Sequence, residues 1–415
     1  MSNENGNTST QPAGSGANVY KLINWKVMIP VMLFVMFQSA FNSFSSVLAA
    51  ITEVFPDASK TLVQMILTIP SLISIPMGLL AGVLGSYVYK KYLVLFSLLM
   101  ELIGGLLPLF IHGSIYSLVI SSALIGIGQG LLINVASAVV GENFTGTASG
   151  VAMGLKQAAS SVGIAILTVA TGFLARGTWY NAYYVYLAII PIFILTMFFL
   201  PKGKKDVKLV GKGVGASGLK KVFTRGCVYY SILSFFLAAA NFAFYTNVGM
   251  SIMFKGLGDA GDIGVATAWN SVITIILGLV FGYVLKLFKR FTMAAAVIIQ
   301  AGSYLLLANA TSLGMVSVGG MIYGLGAGMQ MVAACYYILE SVEQDAASMA
   351  IAVCMFFTSI GVSFSPVVIN AIAPIFGPEL NGVTGFLAAA SLQIIIFVIE
   401  IIYCMVFNRN SKIGK

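Results

Sequence analysis

The amino-acid sequence predicts an all-α integral membrane protein in which twelve transmembrane helices form two pseudo-symmetric six-helix bundles. Three observations lead to this fold class: the scarcity of charge, a series of twelve long apolar runs, and an internal repeat. Of the 415 residues, 59% are hydrophobic and only 8% are charged, whereas a soluble domain carries roughly 25% charged residues. Because so few charges cannot coat a globule of this size, we expect lipid to cover most of the outer surface.

The apolar runs have the length that a membrane requires. A helix needs about 20 mostly apolar residues to cross a hydrocarbon core about 30 Å thick. Dividing the runs at turn and charge signals predicts twelve spans, numbered 1 to 12 in chain order, at residues 26–51, 61–88, 91–112, 115–140, 147–174, 181–200, 227–254, 264–287, 291–309, 313–338, 346–373 and 384–407. The clearest breaks are the 1–2 connection at Pro56-Asp57 and the 7–8 connection at residues 258–262.

The distribution of basic residues predicts the orientation. Lys and Arg concentrate in the cytoplasmic segments of membrane proteins. With the amino terminus placed inside, all 22 Lys and Arg residues fall on inner segments except Lys60, Arg176 and Lys255 outside and Lys156 within span 5. Both termini are therefore predicted to be cytoplasmic, in a multi-pass protein of the plasma (inner) membrane. The net charge of +9 then faces anionic lipid and does not indicate nucleic acid.

The polar segments divide the chain. The first residues are rich in Ser, Asn, Gly and Thr and lack the apolar core of a signal peptide, which favours a disordered tail. A basic stretch between spans 6 and 7 is the only long polar segment within the hydrophobic body. The predicted organisation is a disordered cytoplasmic tail at 1–19, an N-terminal bundle at 20–200, a basic cytoplasmic linker at 201–225, a C-terminal bundle at 226–407 and a cytoplasmic tail at 408–415.

The two halves repeat each other. A shift of about 198 to 200 positions brings several features into register in the same order, which chance rarely produces. The matches are Gly126-Ile-Gly128-Gln-Gly130 with Gly324-Leu-Gly326-Ala-Gly328, Ser161-Val-Gly163 with Ser359-Ile-Gly361, Asn42 with Asn241, and Glu142 with Glu340. Halves repeated in one orientation about an axis along the membrane normal are a known transporter design.

The ends of spans 2 and 8 carry a further match, Gly78-x-x-x-Gly82 before Lys90-Lys91 and Gly278-x-x-x-Gly282 before Lys289-Arg290. With the 6 + 6 layout and the basic central linker, this signature resembles the major facilitator superfamily of bacterial transporters over nearly the whole chain. The family motif in the 2–3 loop is Gly-x-Leu-Ala-Asp-Arg-x-Gly-Arg-Lys. Gly82, Leu84, Lys90 and Lys91 match it, whereas Ser86, Tyr87 and Tyr89 depart from it.

The resemblance implies a monomeric carrier that moves a small organic solute by alternating access, as a facilitative or a secondary active transporter. A coupling proton or a counter-substrate would be its other partner besides membrane lipid, and no cofactor is implied. Spans 1, 4, 7 and 10 would line a central cavity, and spans 2, 5, 8 and 11 would border it. No nucleotide-binding glycine loop, nucleophile elbow or metal-ligand spacing indicates an enzyme or a metal site.

Polar residues on the expected cavity helices are candidates for substrate binding. Gln38, Asn42 and Ser46 are spaced i, i+4, i+8 and would share one helical face of span 1. The other candidates lie on spans 7, 8 and 10, and they are Asn241, Tyr245, Trp269, Asn270, Tyr323 and Gln330. Hydrogen bonding between helices is the alternative role for each of these side chains.

Ionisable residues within the spans are expensive in a bilayer and therefore informative. Lys156 lies about ten residues, or about 15 Å, into span 5. It would anchor a substrate carboxylate, which makes an organic anion the predicted substrate class, or else form a structural ion pair. Glu101 in span 3 is a candidate for proton coupling or for pairing with Lys156, whereas Glu400 in span 12 favours a structural role.

Acidic and basic groups also meet at the predicted inner ends of the spans. Such groups would latch the cytoplasmic side in an outward-open state, or they would only record topology. The residues of this predicted cytoplasmic gate are Glu142, Glu340, Lys90, Lys91, Lys289 and Arg290.

Two alternatives to the anion carrier stay open. A proton-coupled multidrug or metabolite efflux antiporter is less favoured, because span 1 has no acid before Glu53 and Gly126 stands at the family's span 4 Arg position. Span 5 also lacks the Gly-Pro of the antiporter motif. A membrane sensor or assembly factor that kept the fold without transporting is the alternative from another class.

Overall fold

The computed structural model describes residues 23–144, 146–203, 205, 224–343 and 347–406. This part of the chain contains twelve helices long and apolar enough to cross a membrane. They are α1 Trp25–Ser46, α2 Lys60–Gly85, α3 Lys90–Phe110, α4 Ile115–Asn143, α5 Gly146–Leu174, α6 Trp179–Phe199, α7 Arg225–Phe254, α8 Ala260–Phe288, α9 Thr292–Ala308, α10 Leu313–Ser341, α11 Ala347–Ile372 and α12 Val383–Val406. The predicted tails 1–19 and 408–415 and most of the linker 201–225 lie outside the described residues.

The predicted all-α fold of twelve spans is confirmed. Each half has its own buried apolar core: one is built from α1 to α6, and the other from α7 to α12. Phe242 and Met250 of α7 join the first core. Because the helices alternate in direction, one set of ends lies beside the linker, which we call the linker side; the opposite set forms the far side.

The repeated glycines let each central helix pack closely between two neighbours. A Cβ at Gly128 of α4 would lie 2.6 Å from Cγ of Glu101 in α3, and one at Gly326 of α10 would lie 3.0 Å from Cβ of Gln300 in α9. Real Cβ atoms almost never approach other atoms as closely as at Gly128, and the approach at Gly326 is tighter than nearly all real Cβ contacts, so both places favour glycine. The two contacts occupy equivalent places, which makes Glu101 and Gln300 structural counterparts in the two halves.

The halves differ in the regularity of their first and last helices. The α-helical part of α1 ends at Val35 and is followed by a 3₁₀ segment, Ala40–Ser46, and α6 begins with a second 3₁₀ segment, Trp179–Ala188. The counterparts α7 and α12 are continuous α-helices. Residues three apart align in a 3₁₀ helix, so the single face expected for Gln38, Asn42 and Ser46 is not formed.

The 7–8 connection is shorter than predicted because two acidic residues begin the next helix. The backbone N–H of Asp262 donates to Asp259 Oδ1 at 2.9 Å, and the N–H of Asp259 donates to Asp262 Oδ2 at 3.1 Å. This reciprocal arrangement is a capping box, and it starts α8 at Ala260 instead of at residue 264. The Asp262 N–H and then Arg176 hold the pKa of the Asp259 carboxyl below its usual range.

Lys255, one of the few basic residues of the far side, has a structural role just after the end of α7. Its Nζ donates to the carbonyl oxygens of Leu307, Ala308 and Ala310, at 3.3, 2.7 and 2.9 Å. These carbonyls lie at the end of α9 or just after it, where the helix dipole favours a cation. Partial burial lowers the pKa of the Lys255 ammonium.

Polar contacts join the two halves at the far side. Gln64 of α2 donates to Asn247 Oδ1 of α7 at 3.2 Å and accepts from Asn370 Nδ2 of α11 at 2.6 Å. Arg176 after α5 pairs with Asp259 at 3.0 Å and with Asp262 at 3.5 Å. Since these groups come from both halves, the far side is closed in this conformation.

Small residues complete the far-side closure between α5 and α8. A Cβ at Gly264 would lie 2.7 Å from the carbonyl oxygen of Thr168 and 3.3 Å from Cα of Gly172. The backbones of α5 and α8 therefore touch where the halves meet. A larger side chain at Gly264 or Gly172 would push the two helices apart.

We expect Gly264→Val to open the far side. Overpacking typically costs about 1–3 kcal/mol, which shifts a two-conformer equilibrium by about 5- to 150-fold. Spin labels on cysteines at the exposed loop residues Asp57 and Thr311, with the native cysteines replaced by alanine, should move apart. The control is Gly302→Val in α9, because a Cβ there meets nothing within 4 Å. An unchanged distance in Gly264→Val would show that this contact does not hold the closure.

Candidate functional site

A cavity of about 300 Å³ lies between the halves. Its wall comes from α1, α2, α7, α10 and α11, and on the last three helices it continues from mid-depth toward the linker side. The lining residues are Phe41, Asn42, Ser71, Ser234, Leu237, Ala238, Asn241, Phe242, Tyr245, Tyr323, Ala327, Gln330, Met331, Ala334, Cys335, Cys354, Met355, Thr358 and Val362.

The wall has no charged side chain among these lining residues. Its polar groups are amides, hydroxyls and thiols, and the remainder is aromatic or aliphatic. The N-terminal half contributes only Phe41, Asn42 and Ser71, so the cavity is carved mostly into the C-terminal half. Of the helices expected to line it, α1, α7 and α10 do so, whereas the described residues of α4 do not.

Four amide side chains form a closed network behind the C-terminal wall. Asn241 Nδ2 donates to Gln330 Oε1 at 2.8 Å, and Gln330 Nε2 donates to Gln300 Oε1 at 2.7 Å. Gln393 Nε2 donates to Gln300 Oε1 at 2.5 Å and to Asn241 Oδ1 at 3.3 Å. The network fixes the rotamers of Asn241 and Gln330, the two members that line the cavity.

Aromatic rings form the mid-depth end of the cavity. Tyr323 stacks on Phe244 with ring centroids 4.2 Å apart, and its hydroxyl donates to the Asn241 carbonyl at 2.9 Å. Tyr245 meets Tyr323 edge to face. The ring of Phe41 faces that of Phe242 across the two halves at 6.2 Å. These rings offer a flat apolar surface beside the amides.

The predicted residues of α8 support the wall or lie away from it. Asn270 is buried and its Nδ2 lies 3.5 Å from the Tyr245 hydroxyl, so it orients a lining residue without itself lining the cavity. Trp269 is 43% exposed and is not among the lining residues. It belongs to the outer surface of the bundle.

The three predicted polar residues of α1 do not share one location, because the helix changes to a 3₁₀ segment between them. Asn42 lines the cavity, and its buried Oδ1 has no hydrogen-bond partner among the described residues. Gln38 is half-buried and lies off the cavity wall, and its Oε1 also lacks a described partner. Ser46 is fully buried and donates to the carbonyl of Ser43.

Lys156 lies outside the cavity. Its Nζ donates to Ser137 Oγ of α4 at 2.7 Å, about 15 Å from the linker-side end of α5. Glu101 is fully buried against α4, and neither of its carboxyl oxygens has a described hydrogen-bond partner. The pairing of Lys156 with Glu101 is therefore not formed in this conformation.

The predicted gate residues lie at the linker side, with described partners inside their own halves. Lys90 forms an ion pair with Glu142, both in the N-terminal half. Glu340 accepts from Tyr336 at 2.9 Å, one turn earlier in α10. Arg290 lies over the ring of Phe291, while Lys289 contributes a backbone carbonyl to the Tyr337 hydroxyl. Lys91 has no described hydrogen bond or ion pair to another predicted gate residue. The described ion pairs that join the halves are those of Arg176, on the far side.

Several small or sulfur-bearing lining residues are not among the candidates predicted from the sequence. Ser71, Thr358, Cys335 and Cys354 line the cavity, but Ser, Thr and Cys are common in membrane helices and carry little signal alone. The repeat offered one clue, since Cys354 is near the position that matches Lys156.

We expect Gln393→Leu to destabilise the protein. The change removes the donor to two buried acceptors, and leaving a buried group unpaired costs about 1–3 kcal/mol. The midpoint of thermal unfolding in detergent should fall by several degrees relative to the control Ser391→Ala, which removes one local hydroxyl contact from the same helix. An equal midpoint in both variants would contradict a cooperative network.

Comparison with known proteins agrees with this architecture. The family model of the Major Facilitator Superfamily matches residues 27–250 and 230–414. Among solved structures, the nucleoside transporter NupG has a TM-score of 0.75 at 11% identity, with 92% of this chain and 99% of that chain covered. A bacterial homologue of the human lysosomal transporter Spinster, inward-facing and occupied, has a TM-score of 0.72 at 12% identity, with 94% and 98% covered.

The POT family transporter PepTSo has a TM-score of 0.69 at 10% identity, with 92% of this chain and 99% of that chain covered. Comparison with curated proteins gives no match. At these identities the solved structures establish the fold, while the family model covers both halves. The chain therefore belongs to the major facilitator superfamily of membrane transporters, which are not enzymes.

Proposed function

We propose that this protein carries a neutral small organic solute, with hydrogen-bonding groups and a flat apolar face, across the plasma (inner) membrane. The observation that carries the proposal is the uncharged wall of the cavity between the halves. A volume of about 300 Å³ is at the lower end for small-molecule sites. Amides that a fixed network holds in place favour a substrate whose own donors and acceptors complement them.

The arrangement of contacts supports transport by alternating access. If the linker side is cytoplasmic, as the basic residues predict, the far-side contacts close the outer face and the cavity extends toward the cytoplasm. Opening outward would break the Gln64 and Arg176 contacts and separate α5 from α8. Such an exchange requires two conformers that differ by only a few kcal/mol, and exposed ion pairs such as those of Arg176 contribute little stability each.

Within the cavity the two halves would have different roles. The C-terminal wall supplies Asn241, Gln330 and the tyrosine rings as a preorganised surface, which lowers the cost of ordering the site on binding. The N-terminal half supplies Asn42, whose Oδ1 would accept a hydrogen bond from the solute. A solute held by both halves favours the rocking motion that is typical of this family.

We expect Asn42→Leu to weaken solute binding without unfolding the protein. Loss of one hydrogen bond costs about 0.5–1.5 kcal/mol, so the half-saturating concentration for counterflow in proteoliposomes should rise by about 2- to 13-fold. The solute would first be chosen by thermal shift from a panel of neutral metabolites. The panel would include nucleosides, which combine an uncharged ring with hydrogen-bonding groups, because the nucleoside transporter NupG has the same fold.

The matched control is Asn134→Leu, another helical amide of the same half that does not line the cavity. Its half-saturating concentration should stay within about twofold of the wild type. Equal effects of both substitutions would contradict a role for Asn42 in binding. Complete absence of counterflow across the panel, with retained thermal shifts, would support the non-transporting sensor instead.

An organic anion such as a carboxylate is the second candidate, and Lys156 favours it. This ammonium is partly buried with a neutral hydroxyl as its described partner, and a cation in such surroundings is stabilised by an anion. For the anion to be the substrate, Lys156 would have to reach the cavity in another conformer. The proton-coupled efflux antiporter differs from both of these carriers in the direction of transport and in its coupling to protons. Solute flux measured along and against an imposed proton gradient distinguishes it, because an antiporter moves the solute opposite to the proton flow.

We expect Lys156→Gln to change counterflow of a neutral solute by less than about twofold, because the lysine lies off the cavity wall. The anion candidate predicts the opposite result, loss of uptake of the anion with normal folding. Lys156→Arg, which keeps the charge, is the control for packing. Loss of all transport in Lys156→Gln, with activity kept in Lys156→Arg, would overturn the neutral-solute proposal.

A further inference from the structure

The equivalent contacts of α3 and α9 hold chemically different residues. Glu101 and Gln300 both pack against the middle glycine of the repeated Gly-x-Gly-x-Gly motif. In the C-terminal half the side chain is a permanently neutral amide, and its Oε1 accepts from Gln330 and Gln393. In the N-terminal half it is a carboxyl group that can gain or lose a proton.

The surroundings of Glu101 accommodate the protonated form. The side chain is 0% exposed, and neither oxygen has a hydrogen-bond partner among the described residues. An isolated carboxylate in apolar surroundings costs far more than a neutral carboxylic acid. These surroundings favour the protonated carboxyl group, which is neutral like the amide of Gln300.

The groups that face Glu101 are few. On α4 it meets Gly128, and one turn further along α3 the ring of Tyr186 from α6 packs against Gly105 and stacks on the ring of Tyr183. Helix α2, which also touches α3, has no titratable side chain beyond Lys60 at its first position. Glu101 takes part in no ion pair among the described residues.

Tyr186 connects this site to the solute cavity. Its ring packs against Gly105, one turn after Glu101 on the same face of α3, and its buried hydroxyl has no described partner. The ring also lies 5.7 Å from Phe44 and 6.4 Å from Phe37 of α1. Phe44 belongs to the 3₁₀ segment that carries Asn42 into the cavity.

We propose that Glu101 is a proton-binding site of the N-terminal half, linked to the solute cavity through Tyr186 and the 3₁₀ segment of α1. When Glu101 loses its proton, the carboxylate requires a donor, and we assign this role to the Tyr186 hydroxyl, which has no described partner and whose ring packs one turn away on α3. Turning that hydroxyl toward Glu101 shifts the ring that supports α1. The C-terminal half, with Gln300 at the equivalent place, has no such response.

The first test needs no substrate and therefore stands apart from the proposed transport function, on which the link to the cavity rests. Infrared spectra of the purified protein at neutral pH should contain the C=O stretching band of a protonated carboxylic acid. Glu101→Gln should remove that component, whereas Glu400→Gln, which changes the buried acid of α12, should leave it in place. A spectrum unchanged by Glu101→Gln would overturn the proposal.

The second test measures coupling. In proteoliposomes, a pH difference of one unit should drive an accumulation of up to about tenfold if one proton moves with each solute. Glu101→Gln should abolish this accumulation while solute counterflow continues, and Tyr186→Phe should keep the infrared component but reduce the accumulation. Undiminished gradient-driven accumulation in Glu101→Gln would overturn the link. Loss of counterflow in every variant and the wild type would overturn only the transport proposal.

Discussion

The structure depends on one constraint, which is that a polar group inside a bilayer needs a partner. Water is absent from the hydrocarbon core, so each amide, hydroxyl or charge must be satisfied within the protein. The C-terminal half meets this constraint for most of its buried amide groups by joining Asn241, Gln330, Gln300 and Gln393 into one network, which leaves Gln300 Nε2 without a described partner. The described polar groups of the N-terminal half that lack a partner include Asn42, Glu101 and Tyr186. Unpartnered buried groups occur in both halves, but more of the described ones lie in the N-terminal half.

The same constraint explains which parts of the fold the sequence predicts. Span count follows from hydropathy, because lipid imposes helical length and apolar composition on each segment separately. The repeated glycines also carry structural information, since Gly128 and Gly326 admit neighbouring helices at equivalent places. Helix ends are less predictable. Asp259 and Asp262 read as a polar loop, but as a capping box they begin α8.

The site was predicted only in part, for physical reasons that concern particular residues. Asn241, Tyr245, Tyr323 and Gln330 lie on regular helices, so their position along the sequence gives their position on the cavity wall. The alignment of Gln38 with Asn42 failed because helical periodicity does not describe a 3₁₀ segment. Ion pairs are still harder to predict from the sequence, because the two charged groups of a pair meet in one conformer and separate in another. The basic and acidic residues of the linker side suggested a latch there, whereas the described pairs between the halves involve Arg176 on the far side.

The asymmetry between the halves also bears on how a cavity can change its access without losing its ligand. A wall that holds a solute while the protein rocks must keep its geometry, and the amide network gives α7 and α10 that rigidity. The opposite wall must move, and the 3₁₀ segments of α1 and α6 cost less to rearrange, since 3₁₀ hydrogen bonds are weaker than α-helical ones. Phe41 and Asn42 lie on the 3₁₀ segment of α1, where Phe41 faces Phe242 of the regular helix α7 and Asn42 lines the same cavity as Asn241. The two halves therefore share one fold but differ at particular places. We expect the C-terminal half to hold the solute and the 3₁₀ segments of the N-terminal half to change which side of the membrane the solute can reach.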